Sequence, residues 1–216
     1  MDRQHKTRLA LIAALLPLVL LVVAYLNFRE LPVGEKYRPL SEYGGDFALF
    51  GYDRDYTLDD FKGKVLVMYF GFLNCTEACP QSMTKMRTAF NRLSEAELAQ
   101  VLGVFVSVDP ERDKREDLKG FAEYYHKNVV ALTGTQEQVD KITSDYGVFF
   151  ELVDLEGSAL GYTVDHASRF YLVDKSGKLY TTMSHSTTPN ELAARIRQVL
   201  EKPEAQEQQT EAVPNS

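Results

Sequence analysis

The chain has 216 residues, and its 24 Lys and Arg against 31 Asp and Glu give a formal net charge of -7 at pH 7. An acidic chain without a cluster of basic residues lacks the positive surface that binding of DNA or RNA requires, so nucleic acid is excluded as a partner. A hydrophobic fraction of 44% and a charged fraction of 25% are those of an ordinary folded domain. Two cysteines are too few for a disulfide scaffold, and the core must therefore depend on hydrophobic burial.

The first predicted element is a transmembrane helix at residues 9–26. This segment has no charged or amide side chain, and as a helix it would extend about 27 Å, enough to cross a bilayer core. Basic residues within segment 1–8 predict a cytoplasmic N-terminus. A signal peptide cleaved near Ala24 is the alternative, and it too would export the remainder. Because segment 1–8 is too short for an organellar transit peptide, we expect a single-pass protein of the bacterial inner membrane, with its C-terminal domain in the periplasm.

The exported part is predicted to contain one domain between two segments without regular structure. Residues 27–44 are rich in proline, glycine and charge without sustained periodicity, which indicates a linker. Residues 202–216 are rich in Glu, Gln and Pro, which is typical of a disordered tail. The intervening residues 45–201 have a length typical of a single domain.

The first half of this domain is predicted to be a βαβ unit. Near-continuous apolar runs predict buried strands at Val65–Phe70 and Val101–Val108. Between them, apolar residues recur at helical spacing after Pro80, which is favoured in a first helical turn. These residues are Met83, Met86, Ala89, Phe90 and Leu93. We assign the two methionines to the core because they lie on this apolar stripe.

The second half of the domain is predicted to alternate helices and strands. One helix is capped by Asp113, another begins at Thr135 and ends at Gly147, and the last is capped by Thr188. The remaining predicted strands are Val129–Leu132, Arg169–Asp174 and Lys178–Met183. This order, with a hairpin and a helix at its end, predicts an α/β domain of the thioredoxin-like class.

Both cysteines lie where the first predicted strand leads into the first helix. Cys75 and Cys79 are at or just before the helix N-terminus, where exposed N–H groups and the helix dipole stabilise a thiolate. We therefore expect the pKa of these thiols to be lowered from its usual value. Thiolate is the form that both metal binding and disulfide exchange require.

The spacing of the two cysteines is compatible with more than one role. Residues four apart in a regular helix have Cβ atoms about 5–6 Å apart, which is too far for a relaxed disulfide, although a loop can close the gap. Two sulfurs that share a soft metal can lie farther apart. A shared metal and a disulfide are both possible on this ground, and a structural disulfide or inert core cysteines are a further alternative.

A metal site needs a third ligand, and the four histidines differ in their predicted positions. His5 belongs to the cytoplasmic segment, whereas His126 and His185 are assigned to a helix end and a polar surface loop. His166 directly precedes the strand near Arg169, and a thioredoxin-like topology brings this loop beside the helix that carries the cysteines. Two thiolates and an imidazole suit copper in either oxidation state. Structural zinc is less favoured, because it normally takes four protein ligands.

The sequence resembles the Sco/SenC copper-binding proteins, which are involved in cytochrome c oxidase assembly. The resemblance is carried by the motif C-x-x-x-C-P at Cys75–Pro80 together with a distant V-D-H at Val164–His166, and it extends over nearly the whole predicted domain. Many members have Pro and Asp after the first cysteine, where this chain has Thr76 and Glu77. The acidic character of the second of these positions is kept by Glu77.

This resemblance implies a ligand set, a metal and a fold. Cys75, Cys79 and His166 match the metal ligands of the family, and the metal implied is copper, as Cu(I) or Cu(II). The fold implied is thioredoxin-like, with a β insertion before the histidine that would correspond to Val148–Tyr162. The partners implied are the membrane, the copper-bearing subunit of cytochrome c oxidase, and another periplasmic copper chaperone or a thiol reductant.

Two functions remain open at this point. The leading hypothesis is a membrane-anchored copper metallochaperone that delivers copper to, or prepares, the binuclear copper centre of cytochrome c oxidase. The alternative is an enzyme, a thiol-disulfide reductase in which Cys75 and Cys79 form the catalytic redox pair. Residues 157–173 lack the proline that thioredoxin-type reductases place opposite their C-x-x-C motif, which favours the chaperone. Phe72 stands where peroxiredoxins have Thr, which argues against peroxide chemistry.

Overall fold

The structure, a computed structural model, describes residues 16–17, 39–154, 162–166 and 168–202. For residues 41, 152, 154 and 163–166 it describes the backbone alone. The chain divides into two units, Met1–Arg38 and Pro39–Ser216, and the fold given below is that of the second. The predicted transmembrane helix at residues 9–26 lies outside the described residues except for Leu16 and Pro17. Nowhere in the described part is there a helix with the length and apolarity needed to span a bilayer.

A five-stranded mixed sheet, in the order β5-β4-β3-β8-β9, forms the centre of the domain. The strands are β1 (Ala48–Phe50), β2 (Asp55–Thr57), β3 (Val65–Gly71), β4 (Val101–Ser107), β5 (Val129–Leu132), β6 (Phe150–Asp154), β7 (Tyr162–His166), β8 (Arg169–Val173) and β9 (Leu179–Ser184). β3, β4 and β5 run parallel, whereas β8 and β9 are antiparallel to their neighbours. β1–β2 and β6–β7 form two separate antiparallel hairpins.

Helices cover both faces of the central sheet. The helices are α1 (Ala78–Phe90), α2 (Glu95–Leu98), α3 (Arg115–Tyr125), α4 (Gln136–Tyr146) and α5 (Pro189–Leu200). The apolar sides of α1, α3 and α5 pack on one face, and that of α4 packs on the other. Val67 and Tyr69 of β3 point to the first face, while Leu66 and Met68 point to the second, and all four are buried. The continuous apolar sequence of β3 therefore reflects burial on both sides.

The predicted βαβ unit, the later helices and the C-terminal hairpin are confirmed. Thr135 and Thr188 each accept a hydrogen bond from the third helical amide, in capping boxes at the starts of α4 and α5. Gly147 ends α4 with a φ of 65°, a left-handed conformation that favours glycine. Met83 and Met86 are fully buried, as predicted for core residues.

Two features of the described domain differ from the sequence predictions. Asp113 is not the cap of α3, because Lys114 precedes the first helical residue and makes no side-chain capping bond, while Asp113 is buried. The β1–β2 hairpin was not predicted, since strands of three residues are too short to show an alternating pattern.

The β6–β7 hairpin corresponds to the β insertion that the family resemblance implies. Its register pairs Phe150 with His166 and Asp154 with Tyr162. Phe150 and Tyr162 both pack against the core on the α4 side of the sheet. His166 is thus the last residue of a strand, rather than part of the loop predicted before Arg169.

We predict that Met86→Ala lowers the free energy of unfolding by about 2–5 kcal/mol, because it empties space in a well-packed core. The Met86 sulfur lies so close to β4 that a Cβ on Gly103 would come within 2.7 Å of it. Thr84→Ala, on the exposed side of α1, is the matched control and should change stability by less than about 0.5 kcal/mol. Urea denaturation of both variants measures the difference, and equal losses would contradict the assignment of Met86 to the core.

Candidate metal centre

The candidate site lies at the carboxyl ends of β3 and β4. These parallel strands place Gly71 opposite Ser107, and the Val108 amide donates to the Gly71 carbonyl at 2.8 Å. Ligands of α/β proteins commonly bind at this edge of a sheet, because the loops after neighbouring strands meet there. The loop after β3 leads directly to Cys75.

The two cysteines are in contact at the start of α1. The Cys79 amide donates to the Cys75 sulfur at 3.3 Å, and the helix cap Glu77 makes no side-chain capping bond. Amides of a first helical turn lack a partner within the helix, so the Cys75 sulfur satisfies one of them. Both thiols are reduced, with Cys75 half-buried and Cys79 buried. One sulfur is thus accessible, and the other is enclosed beneath it.

The expected lowering of both thiol pKa values is wrong for Cys79. Its hydrogen bond with Cys75 raises the pKa of the Cys79 thiol, and burial and the nearby Cys75 charge raise it further. The helix N-terminus favours a thiolate, but two adjacent sulfurs do not readily both lose their protons in the absence of a cation. The surroundings of Cys79 therefore disfavour its thiolate form.

Gly71 and Tyr69 enclose the buried sulfur. A Cβ on Gly71 would lie 2.6 Å from the Cys79 Sγ, so a side chain there would displace the thiol. Tyr69 is fully buried, and its pKa is raised by burial and by the neighbouring Cys79. The Tyr69 ring also packs against that of Phe170, with 5.6 Å between the ring centroids. Tyr69 therefore connects the cysteine region to the start of β8.

The backbone register brings the end of β7 towards the same edge of the sheet. Tyr69 of β3 is opposite Phe170 of the antiparallel β8, so β8 begins where β3 ends. Ser168 is two residues before Phe170 and two residues after His166. The structure thus places the His166 backbone in a segment that approaches the cysteine end of the sheet. Among the described side chains, no three His, Cys, Asp or Glu residues are grouped closely enough to hold a metal ion.

His126 and His185 are the other histidines of the described domain. His126 follows the end of α3, as predicted, and its Nδ1 accepts a hydrogen bond from the Asn128 amide at 3.0 Å. Burial lowers the pKa of His126. His185 is exposed in the loop after β9, in agreement with its predicted surface position.

Asp113 binds the loop between β3 and Cys75 through hydrogen bonds, a role that the sequence did not indicate. Its Oδ2 accepts hydrogen bonds from the Leu73 amide at 2.9 Å and from the Ser107 hydroxyl at 2.6 Å. It is 2% exposed, and burial raises the pKa of its carboxyl. An aspartate shortly before a helix is more often a cap. The position of Asp113 in the sequence therefore led to the wrong prediction that it caps α3.

We predict that Asp113→Ala destabilises the protein by about 1–3 kcal/mol, because the buried Leu73 amide and Ser107 hydroxyl lose their acceptor. Asp113→Asn keeps an acceptor oxygen without a buried charge. Because the folded-state pKa of Asp113 is raised, the folded protein binds this proton more tightly than the unfolded chain, and stability decreases as pH rises above the usual Asp range.

The Asn variant should therefore gain stability relative to the wild type as pH rises from about 4 to 7. Chemical denaturation of the wild type and both variants across this range measures the change. A stability difference between Asn variant and wild type that does not vary with pH would show that the Asp113 charge is not penalised by burial.

The domain is similar to known proteins in sequence and in fold. The SCO1/SenC family model matches residues 35–201. A SCO2-like protein of Rickettsia felis is 31% identical over 157 residues, which are 72% of this chain and 76% of that protein. Arabidopsis thaliana ScoI, solved with copper bound, has a TM-score of 0.68 at 28% identity, with 73% of this chain and 97% of that chain covered.

A further solved structure is that of BsSco, described as a member of the Sco family of cytochrome c oxidase assembly proteins in which a disulfide switch was identified. It has a TM-score of 0.58 at 28% identity and covers 77% of this chain and 98% of that chain. These similarities support the prediction that this chain has a mixed α/β fold like that of the thioredoxin-like Sco structures. Because this family model matches residues 35–201 of the 216-residue chain, the chain belongs to the SCO1/SenC family.

Proposed function

We propose that this protein is a membrane-anchored copper metallochaperone that delivers copper to, or prepares, the binuclear copper centre of cytochrome c oxidase. The observation that carries the proposal is the contact between the Cys79 amide and the Cys75 sulfur, because it holds two soft donors together at one helix terminus. Copper is found in the similar Arabidopsis ScoI structure. Oxidase assembly is the stated role of the family to which the similar BsSco belongs.

The proposed ligands are Cys75, Cys79 and His166. Two thiolates are favoured by Cu(I), and an added imidazole also suits Cu(II). Cu(I) with two thiolates and a neutral imidazole carries a net charge of -1, which the positive end of the α1 dipole favours. Copper would take the place of the thiol protons, and its positive charge would offset the repulsion between the two thiolates.

The exposure of the site suits transfer of copper. Cys75 is half-buried, and the neighbouring Thr76 and Glu77 are exposed, so a partner's ligands can approach from this side. Cys79 is enclosed by the core. Copper transfer would then proceed by successive ligand replacement, with the accessible Cys75 thiolate exchanged before the enclosed one.

The proposed partners and location follow from the same hypothesis. The uncharged segment 9–26 would anchor the protein in the bacterial inner membrane, with the copper-binding domain in the periplasm. The copper-bearing subunit of cytochrome c oxidase would receive the copper. Another periplasmic copper chaperone or a thiol reductant would load the site or reduce its cysteines.

We predict that the reduced protein binds one copper ion and that His166→Ala weakens Cu(II) binding by about 10-fold or more, because it removes the only imidazole donor of the proposed site. Replacing Cys75 or Cys79 with Ser should remove most binding of Cu(I). His185→Ala, at an exposed histidine outside the proposed ligand set, is the matched control and should bind copper as the wild type does. Competition titrations with both oxidation states measure these affinities. An unchanged Cu(II) affinity and spectrum in His166→Ala would remove His166 from the ligand set.

The second candidate function is thiol-disulfide reduction, which the contact between the two thiols favours. The half-buried Cys75 thiolate would attack a substrate disulfide and release one substrate thiolate, forming a mixed disulfide. The Cys79 thiolate would then attack the Cys75 sulfur and release the second substrate thiol. Two electrons pass to the substrate, the pair becomes a disulfide, and an external thiol reductant must restore it. A protein of this kind would be an enzyme rather than a carrier.

One variant separates the two functions in cells. If copper delivery is essential, His166→Ala should abolish cytochrome c oxidase activity at limiting copper while the Cys75–Cys79 pair still cycles between dithiol and disulfide. The reason is that imidazole is a metal donor, whereas exchange needs the two sulfurs and access to them. Oxidase activity and the reduction potential of the pair are measured in wild type, His166→Ala and the His185→Ala control. Normal oxidase assembly with a His166→Ala protein that no longer binds copper would favour the reductase over the chaperone.

A further inference from the structure

Asp109, Arg112 and Tyr162 form a closed set of hydrogen bonds, here called the clamp. The Arg112 Nε donates to Asp109 Oδ2 at 2.6 Å, and its Nη1 donates to the Tyr162 carbonyl at 2.8 Å. The Tyr162 hydroxyl donates to Asp109 Oδ1 at 2.8 Å. Each bond involves a charged donor or acceptor, which makes it stronger and more directional than a neutral pair. The clamp thus joins the turn after β4 to the first residue of β7.

Arg112 also lies between two aromatic rings. Its guanidinium carbon is 3.7 Å from the centroid of the Tyr162 ring and 6.0 Å from that of Phe72. Phe72 belongs to the loop that leads to Cys75, and Tyr162 belongs to the β6–β7 hairpin. The Arg112 side chain is 19% exposed and that of Asp109 is 2% exposed, so these charge interactions are only weakly screened by water. Arg112 therefore lies beside one ring from the loop that leads to Cys75 and one ring from the β6–β7 hairpin.

The turn 109–113 contacts the cysteine loop a second time through Asp113. That carboxylate holds the Leu73 amide, two residues before Cys75, while Arg112 holds the start of β7. β7 extends from Tyr162 to His166, which is about 13 Å at the usual rise of a strand. A single turn thus fixes both the approach to Cys75 and the strand that ends at His166.

The hairpin needs such support because it is not part of the central sheet. β6 and β7 pair only with each other in the described sheets, and a lone two-stranded hairpin is at best marginally stable in water. Apolar packing of Phe150 and Tyr162 attaches the hairpin to the core. Because apolar contacts are not directional, packing alone does not fix the position of the hairpin along the core surface. The clamp adds directional bonds that define its position.

We propose that the clamp, with Arg112 at its centre, positions the β6–β7 hairpin relative to the cysteines and thereby sets the place of the third copper ligand. This inference rests on the proposed function, because the clamp is proposed to act on copper through the position of His166. Arg112 is a positioning residue in this scheme. Its loss should weaken Cu(II), which favours imidazole, more than Cu(I), which two thiolates retain.

The test compares Arg112→Ala with Arg54→Ala in the reduced full chain, with Cu(II) ions as the probe. Arg54 is a matched control, because it pairs with Asp60 at 2.7 Å and its guanidinium lies 4.0 Å from the centroid of the Tyr56 ring, outside the clamp. Arg112→Ala should weaken Cu(II) binding by about 10–100-fold, as is typical of residues that orient a metal ligand. Its Cu(II) electron paramagnetic resonance spectrum should shift towards that of His166→Ala, whereas Arg54→Ala should match the wild type.

A second variant and a metal-free measurement keep the test decisive if Arg112→Ala folds poorly. Tyr162→Phe removes the hydroxyl bond to Asp109 but keeps the ring beneath Arg112, so it should weaken Cu(II) binding in the same direction by a smaller factor. Hydrogen exchange of the metal-free protein should be faster in peptides covering β6 and β7 for both clamp variants, and unchanged there for Arg54→Ala.

The outcomes distinguish the two hypotheses. If His166→Ala impairs Cu(II) binding while Arg112→Ala and Tyr162→Phe keep wild-type affinity and spectrum, the ligand set stands and the positioning role is wrong. If His166→Ala itself behaves as the wild type, the proposed ligand set is wrong. In that case hydrogen exchange decides the clamp alone, and unchanged exchange of β6 and β7 in Arg112→Ala would overturn it.

Discussion

The hydrogen bond from the Cys79 amide to the Cys75 sulfur organises the candidate site, because it joins the loop after β3 to the first turn of α1. The amide is one that the helix start leaves without a helical partner, and the cap Glu77 offers no side-chain acceptor. The loop must therefore fold back far enough for the first sulfur to reach the helix. Gly71 leaves the space that the second sulfur fills. The end of β3, the loop that follows it and the first turn of α1 thus all contact the two cysteine sulfurs.

In the proposed site, copper binding and disulfide chemistry would compete for the same two sulfurs. A disulfide bond and a bound metal both require the sulfurs to lose their protons, while the neighbouring Cys75 and burial raise the pKa of the Cys79 thiol. A bound cation compensates the second negative charge, whereas oxidation removes both charges by forming a bond. The cysteines must be reduced before copper binds, and a protein with this site depends on a reductant whichever function is essential.

The elements that the sequence predicted are those with strong local signals. β3, β4 and the helices after Thr135 and Thr188 follow from continuous apolar runs and capping boxes, which need no knowledge of distant residues. Asp113 was misassigned because its partner Leu73 is 40 positions away and is brought to it only by the parallel pairing of β3 with β4. The pKa of the Cys79 thiol was wrongly predicted to be lowered, because the effect of the helix N-terminus was considered for each thiol alone and the neighbouring sulfur was left out. The clamp was missed for the same reason as Asp113, since Arg112 and Tyr162 are 50 positions apart in the chain.

The proposed ligands are held in two different ways, by apolar packing in the central core for the cysteines and mainly by polar contacts for His166. This difference would affect the order in which a carrier releases its metal. Cys75 and Cys79 are fixed by a strand and a helix whose apolar residues belong to the central core, so moving them would disturb that core. His166 ends a hairpin that is attached through polar contacts and a small apolar face. Displacement of the hairpin would break the clamp but leave the five-stranded sheet intact. In the proposed site, the third ligand would therefore leave at lower cost than either thiolate, and a stepwise release would begin with the imidazole.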